Sequence, residues 1–433
     1  MFFLQSSRPI IVAVEVGTRK VVAAIAECCL EEGSLRLLGL GEHPMYQMCK
    51  GQILDMKMVA QCIREALFEA ETQTDVAIRE VYLTFSNPHT QSLNALVSVP
   101  VLSPDRRESS LGILPEIHPH HVTQLHQKAR ELTPPKDTKL LHDLLRCYYN
   151  DNGAMVPRPV GLNSKKLSGA FHLIYANELQ ADTLVRAVQS LDVEITQLIA
   201  GVYATPFAVL TQQERKEGSI VVNLGAGVTE ISAFMDGGMI YSHVLGIGGD
   251  TITQDIHQAF KDYLPRFPIN QSMAEEIKKQ YGAALWSDKE ANEIIILRNP
   301  NDAHQTQKIK RLPIMEVTQA RVEEILQITL ELLSAEPFWM KFNGPLYFSG
   351  GGSKLPGLVD LASKVFPERV RVQRCRPLPF DGDQALMMRP ELATVFGALA
   401  YAHRNEMRAY ARRPLVRIRH SLKKMWSDMK LFF

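Results

Sequence analysis

Apolar runs interrupted by short polar turns predict two similar β-hairpins in this chain. The first hairpin covers residues 10–25 and turns at Gly17 and Thr18, and the second covers residues 218–234 and turns at residues 225–228. The runs are apolar at almost every position, which is typical of strands buried on both faces. Two such hairpins, about two hundred residues apart, indicate an internal duplication.

Helices and further strands are predicted around these hairpins, which gives an α/β fold. Apolar residues recur three or four positions apart where helices are predicted, and β-branched and aromatic residues cluster where strands are predicted. The predicted helices cover residues 56–70, 179–191 and 318–333, and the predicted strands cover residues 81–85, 170–174 and 345–348. A third glycine turn, residues 350–353, follows the last strand.

The stretch from Ser86 to Pro159 differs from its surroundings because prolines recur in it. We interpret it as a small inserted subdomain. His118, His120, His121 and His126 lie within it. Their spacing matches no standard metal site, so we expect a solvated loop there.

The composition is that of an ordinary globular protein, since 45% of the 433 residues are hydrophobic and 22% are charged. No apolar run approaches the roughly 20 residues that span a bilayer. The N-terminus lacks the pattern of a secretion signal, so we expect the chain to stay in the cytosol. None of the six cysteines forms a CxxC pair, which favours reduced thiols over a disulfide framework or a zinc site.

The charge is distributed unevenly along the chain. Residues 412–433 contain seven Lys or Arg and one acidic residue, whereas the rest has 41 basic and 46 acidic residues. A mildly acidic body is a poor partner for nucleic acid, and a basic tail suits an anionic surface.

Apolar residues of this tail recur at spacings of three and four, which predicts one face of an amphipathic helix. Trp and Phe on that face, with lysines beside it, are typical of a helix at the membrane interface. Docking of the helix on the body is the alternative. The predicted membrane residues are Leu415, Ile418, Leu422, Lys423, Met425, Trp426, Met429, Phe432 and Phe433.

Glycine turns let backbone N–H groups approach an anion closely. A single turn of this kind is more often a plain hairpin tip than a phosphate site. Three such turns, each at the end of a predicted buried strand, favour a phosphate site gripped by both halves of the chain.

The motifs that carry a family resemblance are IIVAVEVGTRKVVAAIAE, VVNLGAGVTEISAFMDGGMIYSHVLGIGGDTITQDI, MAEEIKKQYGAAL, LYFSGGGSKLPGLVDLASKVF and ATVFGALAYAH. In this order they are similar to the actin/Hsp70/sugar-kinase ATPase superfamily, and within it the chain resembles the FtsA family of bacterial cell-division proteins. The resemblance runs from about Ile10 to Phe433. It implies two RNase H-like lobes that close around ATP, an inserted subdomain and a membrane-targeting helix.

The resemblance also implies the site residues. Glu15 would hold Mg²⁺ through water, and Glu15 and Asn223 are the candidates for a catalytic role. ATP would be bound by Gly17, Thr18, Arg19, Lys20, Gly225, Ala226, Gly227, Val228, Glu275, Lys278, Gly350, Gly351, Gly352 and Ser353.

The domain map implied by the resemblance divides each lobe. It gives a first lobe at 8–85 and 160–199, an insert at 86–159, a second lobe at 200–256 and 314–402, a small subdomain at 257–313, a linker at 403–413 and the tail helix at 414–433.

The implied function is a protein that polymerises on the cytoplasmic face of the inner membrane at the division site. It would bind anionic lipids, other division proteins and the C-terminal peptide of the tubulin-like GTPase FtsZ. Basic candidates for that peptide are Arg298, Lys308, Lys310 and Arg311, although a solvated loop or edge strand explains the segment KIKR, residues 308–311, nearly as well. A pilus-assembly adaptor and a sugar or acyl kinase of the same superfamily are the alternatives.

One position departs from the pattern of the superfamily. The second phosphate turn normally opens with Asp, and here Asn223 stands there. The Gln or Glu that positions water should fall near Ala204 or Thr205, where neither is present. We therefore expect ATP binding with weak or absent hydrolysis.

Overall fold

A computed structural model describes residues 8–102, 114–264, 267, 269–299, 302–376 and 380–411. The predicted tail helix lies outside these residues. In chain order the strands are β1 (Ile10–Val16), β2 (Lys20–Cys29), β3 (Ser34–Pro44), β4 (Met48–Cys49), β5 (Gln52–Ile53), β6 (Glu80–Phe85), β7 (Gln91–Pro100), β8 (Thr138–Tyr149), β9 (Met155–Val156), β10 (Lys166–Asn177), β11 (Glu194–Ala200), β12 (Ser219–Leu224), β13 (Thr229–Met235), β14 (Gly238–Leu245), β15 (Ile294–Asn299), β16 (Asp302–Lys310), β17 (Pro345–Ser349) and β18 (Arg371–Arg374).

The helices alternate with these strands. They are α1 (Met56–Thr72), α2 (Pro119–Arg130), α3 (Glu178–Gln189), α4 (Gly201–Val209), α5 (Gln212–Glu217), α6 (Gly249–Tyr263), α7 (Gln271–Tyr281), α8 (Asp288–Ala291), α9 (Leu312–Ser334), α10 (Leu358–Val365), α11 (Gln384–Met387) and α12 (Ala393–Ala411). Short 3₁₀ turns lie at Trp339–Lys341, Gly351–Lys354 and Pro390–Leu392. No helix among the described residues is both long and apolar enough to span a bilayer.

Two five-stranded sheets share one topology, which confirms the predicted duplication. The first runs β3-β2-β1-β6-β11 and the second runs β14-β13-β12-β17-β18. In each, an antiparallel meander of three strands is followed by two strands parallel to its first strand. The fold is therefore the two-lobed α/β architecture that the hairpins predicted.

The central hairpin strands are buried because helices cover both faces of each sheet. Helices α1 and α3 share a core with one face of the first sheet. Helices α6, α9 and α10 share a core with one face of the second. A third core joins the remaining faces of both sheets through α4 and α12, so these two helices lie between the lobes.

The inserted subdomain is larger than the sequence predicted. Its sheet has the order β7-β10-β8-β9. Strand β10 pairs with β7 from Lys166 to Tyr175 and with β8 from Ser168 to Asn177. The predicted boundary at residue 159 is therefore wrong for this strand, which had been assigned to the first lobe. Its apolar run resembles a lobe strand because α2 and the lobes cover it.

The histidine cluster lies on a helix, which corrects the prediction of a loop. His118 precedes α2, and its backbone N–H donates to Nδ1 of His121 at 3.0 Å. His121 is buried, and His126 donates through Nδ1 to Asp143 Oδ2 at 3.0 Å. In the described part of the chain no three or more His, Cys, Asp or Glu side chains come together as a metal-binding group.

The insert covers the free edge of the second sheet. Ser92 Oγ and Asn94 Nδ2 of β7 donate to the backbone oxygens of Ser242 and Ile240, each at 2.9 Å. The buried ring of His172 joins Asn94 Oδ1 at 2.9 Å to Ser242 Oγ at 2.8 Å. These bonds satisfy edge carbonyls of β14 that would otherwise lack partners.

The last described helix corrects the predicted linker. Helix α12 continues to Ala411, so residues 403–411 are helical. Its apolar residues Val395, Phe396 and Leu399 are buried in the core shared by both lobes. The helix approaches α4 closely, because a Cβ added to Gly397 would lie only 2.1 Å from the backbone oxygen of Ala204.

Candidate functional site

A cleft of about 620 Å³ lies where the three glycine turns converge. It is lined by all the predicted nucleotide-binding residues except Ser353, and by Glu15 and Asn223. Ser353 is buried behind the cleft, where its hydroxyl donates to the backbone oxygen of Gly350 at 2.7 Å. The turns meet here because each follows a central strand at the same end of its sheet.

The first two turns face each other at contact distance. The N–H of Gly17 donates to Lys20 O at 2.9 Å, and the N–H of Gly225 donates to Val228 O at 3.0 Å. A Cβ added to Gly227 would lie 2.3 Å from Thr18 Oγ1. Any side chain at residue 227 would therefore push the two turns apart.

In the third turn, one position accepts only glycine and the next has free space for a side chain. Gly350 has φ +80°, and an added Cβ there would lie 2.4 Å from Leu224 O. The nearest atom to a Cβ added at Gly351 is Glu391 Cβ, at 3.9 Å. A side chain at Gly351 is therefore sterically tolerated by the protein and would project from a residue that lines the cleft.

Glu275 and Lys278 form a polar cluster at one side of the cleft. Lys278 Nζ donates to Glu275 Oε2 at 2.6 Å, and to Thr253 Oγ1 and Gly249 O at 2.9 Å each. Burial lowers the pKa of Lys278, and the Glu275 charge opposes that effect. The lysine thus holds α7 against the start of α6.

Two buried carboxyl groups lie at the cleft floor. Burial raises the pKa of Glu15 to about 7, and its Oε2 has no hydrogen-bond partner among the described residues. Burial also raises the pKa of Glu230. An unpartnered buried carboxylate oxygen fits a hydrated Mg²⁺, which keeps several waters and takes few protein ligands.

Asn223 is committed to a hydrogen-bond network. Its Nδ2 donates to Glu230 Oε2 at 2.9 Å and to Thr394 Oγ1 at 3.2 Å. Its Oδ1 accepts from Ser349 Oγ at 3.2 Å. The amide therefore supplies donors that an Asp could not supply, and it holds the Glu230 carboxylate in place.

The residues at and near the expected water-positioning side chain do not line the cleft. Thr205 Oγ1 bonds to Gly201 O at 3.1 Å and to Thr394 Oγ1 at 3.0 Å. Glu214 caps α5 and bonds to Tyr347 and Arg376. Neither these residues nor Ala204 line the cleft.

Asn223→Asp should lower the free energy of unfolding by about 2 kcal/mol, because it removes a buried donor and places a carboxylate beside Glu230. The two neighbouring carboxyl groups would have a raised pKa in the folded state, so the folded variant loses stability as the pH rises. We expect a larger deficit at about pH 8 than at about pH 5. Urea unfolding measures this, with Asn152→Asp as the control on an exposed turn. Equal losses at both pH values would contradict the Asn223–Glu230 contact.

The sequence did not reveal the ion pairs around the cleft. Arg19 Nε pairs with Asp250 Oδ1 at 2.7 Å, which ties the first turn to α6. Glu42 bonds to Lys20 at 2.9 Å and to Arg389 Nη2 at 2.9 Å. Asp250 is part of a quoted motif, but no spacing signal connects Glu42 to Arg389.

The four partner-binding candidates are not equivalent. Arg298, Lys308 and Lys310 lie on the hairpin of β15 and β16, and the two lysines are exposed. Arg311 is turned inward, since Nε donates to Tyr281 O at 2.9 Å and Nη1 pairs with Glu293 at 2.9 Å. The first three residues of the segment KIKR, 308–310, thus lie on the strand β16 rather than in a loop, and Arg311 follows the strand.

Solved structures with this fold include the PilM–PilN type IV pilus biogenesis complex, at 18% identity and TM-score 0.57, covering 91% of this chain and 98% of that one. MreB 5 of Spiroplasma citri bound to AMPPNP matches at 12% identity and TM-score 0.56, covering 94% and 99%. The MamK double helical filament matches at 14% identity and TM-score 0.52, covering 91% and 98%. These confirm the actin-like fold.

The similarity in sequence is to cell-division proteins. Residues 220–397 match the family model described as cell division protein FtsA. FtsA of Pseudomonas aeruginosa is 28% identical, covering 93% of this chain and 91% of that protein. FtsA of Escherichia coli K12 is 27% identical, covering 94% and 93%. In its duplicated lobes, its cleft and more than 90% of its sequence, the chain is thus similar to actin-like cell-division proteins described as FtsA.

Proposed function

We propose that this cell-division protein binds Mg²⁺ and ATP in the cleft and assembles on the cytoplasmic face of the inner membrane at the division site. There it tethers FtsZ. The observation that carries the proposal is the convergence of three glycine turns and the buried Glu15 on one cleft. ATP acts mainly as a structural ligand that favours the closed lobes.

The cleft supplies the parts that nucleotide binding needs. The first two turns offer backbone N–H groups to phosphates, and Glu15 would hold Mg²⁺ through water. The third turn would lie under adenosine, with Glu275 and Lys278 near the ribose and base. A related fold, MreB 5, is bound to AMPPNP in its solved structure, which supports a nucleotide here.

Self-association and the tail act together in this proposal. MamK, which shares the fold, forms a double helical filament. One amphipathic helix binds a bilayer reversibly, and several helices on one filament bind it jointly. The aromatic and basic residues of 414–433 would supply that helix, although they lie outside the described residues.

The hairpin of β15 and β16 is our proposed FtsZ-binding surface. Ile294 and Ile296 are 66% and 48% exposed. They lie opposite Lys310 and Lys308 in the register of the hairpin. Apolar and basic side chains on one strand surface suit a peptide that carries both acidic and apolar residues.

Reversing the charge of this surface should weaken the FtsZ peptide. We expect Lys308→Glu with Lys310→Glu to raise the Kd at least tenfold, or about 1.4 kcal/mol. Fluorescence anisotropy with a labelled FtsZ C-terminal peptide measures this. Lys136→Glu with Lys165→Glu, on exposed positions of the insert, is the matched control. Equal affinity in both double variants would exclude the hairpin.

Vesicle sedimentation tests the proposed function as a whole. The full chain should pellet with phosphatidylglycerol vesicles, and more of it should pellet when Mg²⁺ and ATP are added, because assembled subunits bind jointly. It should not pellet with phosphatidylcholine vesicles. Sedimentation that ATP does not change would contradict the link between the cleft and the membrane.

A further inference from the structure

Two arginines share one aromatic ring on the surface formed by α4, α5 and α12. The guanidinium carbon of Arg215 lies 5.1 Å from the centre of the Phe207 ring, and that of Arg404 lies 5.5 Å from it. Tyr203 and Tyr401 pack against Phe207 with ring centres 5.1 and 5.5 Å away. Like charges are thus held together by a rigid aromatic cluster.

Neither arginine forms an ion pair with a carboxylate in the part of the chain that the structure describes, although the nearby Glu214 charge raises the pKa of Arg215. Among the described residues, no Asp or Glu lies within ion-pair distance of Arg215 or Arg404. The adjacent Glu214 is already engaged with Tyr347, Arg376 and Thr211. Arg215 is half-buried, and its Nη1 is buried without a hydrogen-bond partner among these residues.

This arrangement costs free energy unless an anion completes it. A buried charge is unfavourable without a partner, and a second positive charge beside it adds repulsion. In agreement, burial and then Arg404 lower the pKa of Arg215. Paired guanidinium groups match phosphate oxygens in geometry as well as in charge.

We propose that Arg215 and Arg404 bind a phosphate group, and that its source is the headgroup of an anionic phospholipid. Arg404 and Arg408 are exposed on α12 one turn apart, and the helix ends at Ala411. In the sequence the basic tail begins directly afterwards, with Arg412 and Arg413. A tail held in the bilayer would bring this end of α12 close to lipid headgroups, so the lipid source rests on the proposed membrane function.

The test uses the full chain with Arg215→Gln and Arg404→Gln made together. It is compared with a control double variant that has the same change in size and charge. Arg64→Gln with Arg186→Gln supplies that control on α1 and α3. In titrations with phosphatidylglycerol vesicles, each lost arginine near the surface should weaken binding roughly fivefold. We therefore expect about a twenty-five-fold loss for the Phe207 pair relative to the control.

A second titration, with inorganic pyrophosphate and no vesicles, separates the two phosphate sources. The probe should raise the melting temperature of the full chain, in part by binding at the phosphate turns of the cleft. Arg215→Gln with Arg404→Gln should reduce this rise, whereas Arg64→Gln with Arg186→Gln should leave it unchanged. If the Arg215, Arg404 double variant lost part of the pyrophosphate-induced rise in melting temperature but kept its vesicle affinity, the lipid source would be overturned. Equal behaviour of both double variants in both titrations would overturn the anion site. Because the second titration needs no bilayer, failure of the tail as a tether leaves its result readable.

Discussion

Gly351→Glu should abolish ATP binding while leaving the fold intact. The added side chain meets no protein atom closer than 3.9 Å at its Cβ, and Gly351 does not need a positive φ. It would instead fill the part of the cleft proposed for adenosine. We expect the Kd for ATP to rise roughly a hundredfold or more, on the order of 3 kcal/mol.

Isothermal titration calorimetry with Mg²⁺ and ATP measures this change, and circular dichroism checks the fold. Met340→Glu adds the same carboxylate at a residue that is 81% exposed and is not among the residues that line the cleft. That control should bind ATP as the wild type does. If Gly351→Glu bound ATP equally well, the third turn would not lie beneath the adenosine.

Trp426→Glu should remove the chain from anionic vesicles almost completely. A Trp side chain buries about 150–250 Å², worth about 4–6 kcal/mol at roughly 25 cal/mol per Å². A carboxylate in its place would also be repelled by anionic lipid. We expect a loss of roughly a thousandfold in vesicle affinity.

Ser427→Glu is the matched control, because it adds the same charge one residue further along, on the polar side of the predicted helix. Quantitative sedimentation with phosphatidylglycerol vesicles compares the two variants. Ser427→Glu should retain most of its binding, losing only the electrostatic part. Equal binding of both variants would rule out the tail as the membrane contact.

The sequence predicted the central strands and glycine turns because their pattern is local. Strands β1, β2, β12 and β13 are mostly apolar and are buried on both faces, and glycines mark the turns between them. Such a pattern depends only on burial and backbone freedom, which neighbouring residues determine. The positions of Gly17, Gly225 and Gly351 around one cleft followed from the resemblance.

Pairing between distant segments was not predictable in the same way. Strand β10 has the apolar pattern of a lobe strand, yet it pairs with β7 and β8 in the insert. Residues 403–413 were predicted to be a linker, although the helix α12 continues to Ala411. In both cases tertiary packing, rather than local pattern, decides the structure.

The contacts around the cleft show the same limit. Glu42 bonds to Arg389, which is 347 residues away in the chain. Asn223 stood out as a departure from the superfamily pattern, but only the structure shows that its amide holds Glu230. A departure in sequence therefore located the residue without explaining it.

The central claim, that ATP is a structural ligand in this cleft, is tested most directly by following bound ATP in one sample. The full chain is mixed with Mg²⁺, ATP and phosphatidylglycerol vesicles, and binding and phosphate release are measured together. We predict one ATP bound per chain and released phosphate far below one turnover per second. No binding, or turnover of about 1 per second or faster, which is ordinary for enzymes, would contradict the claim.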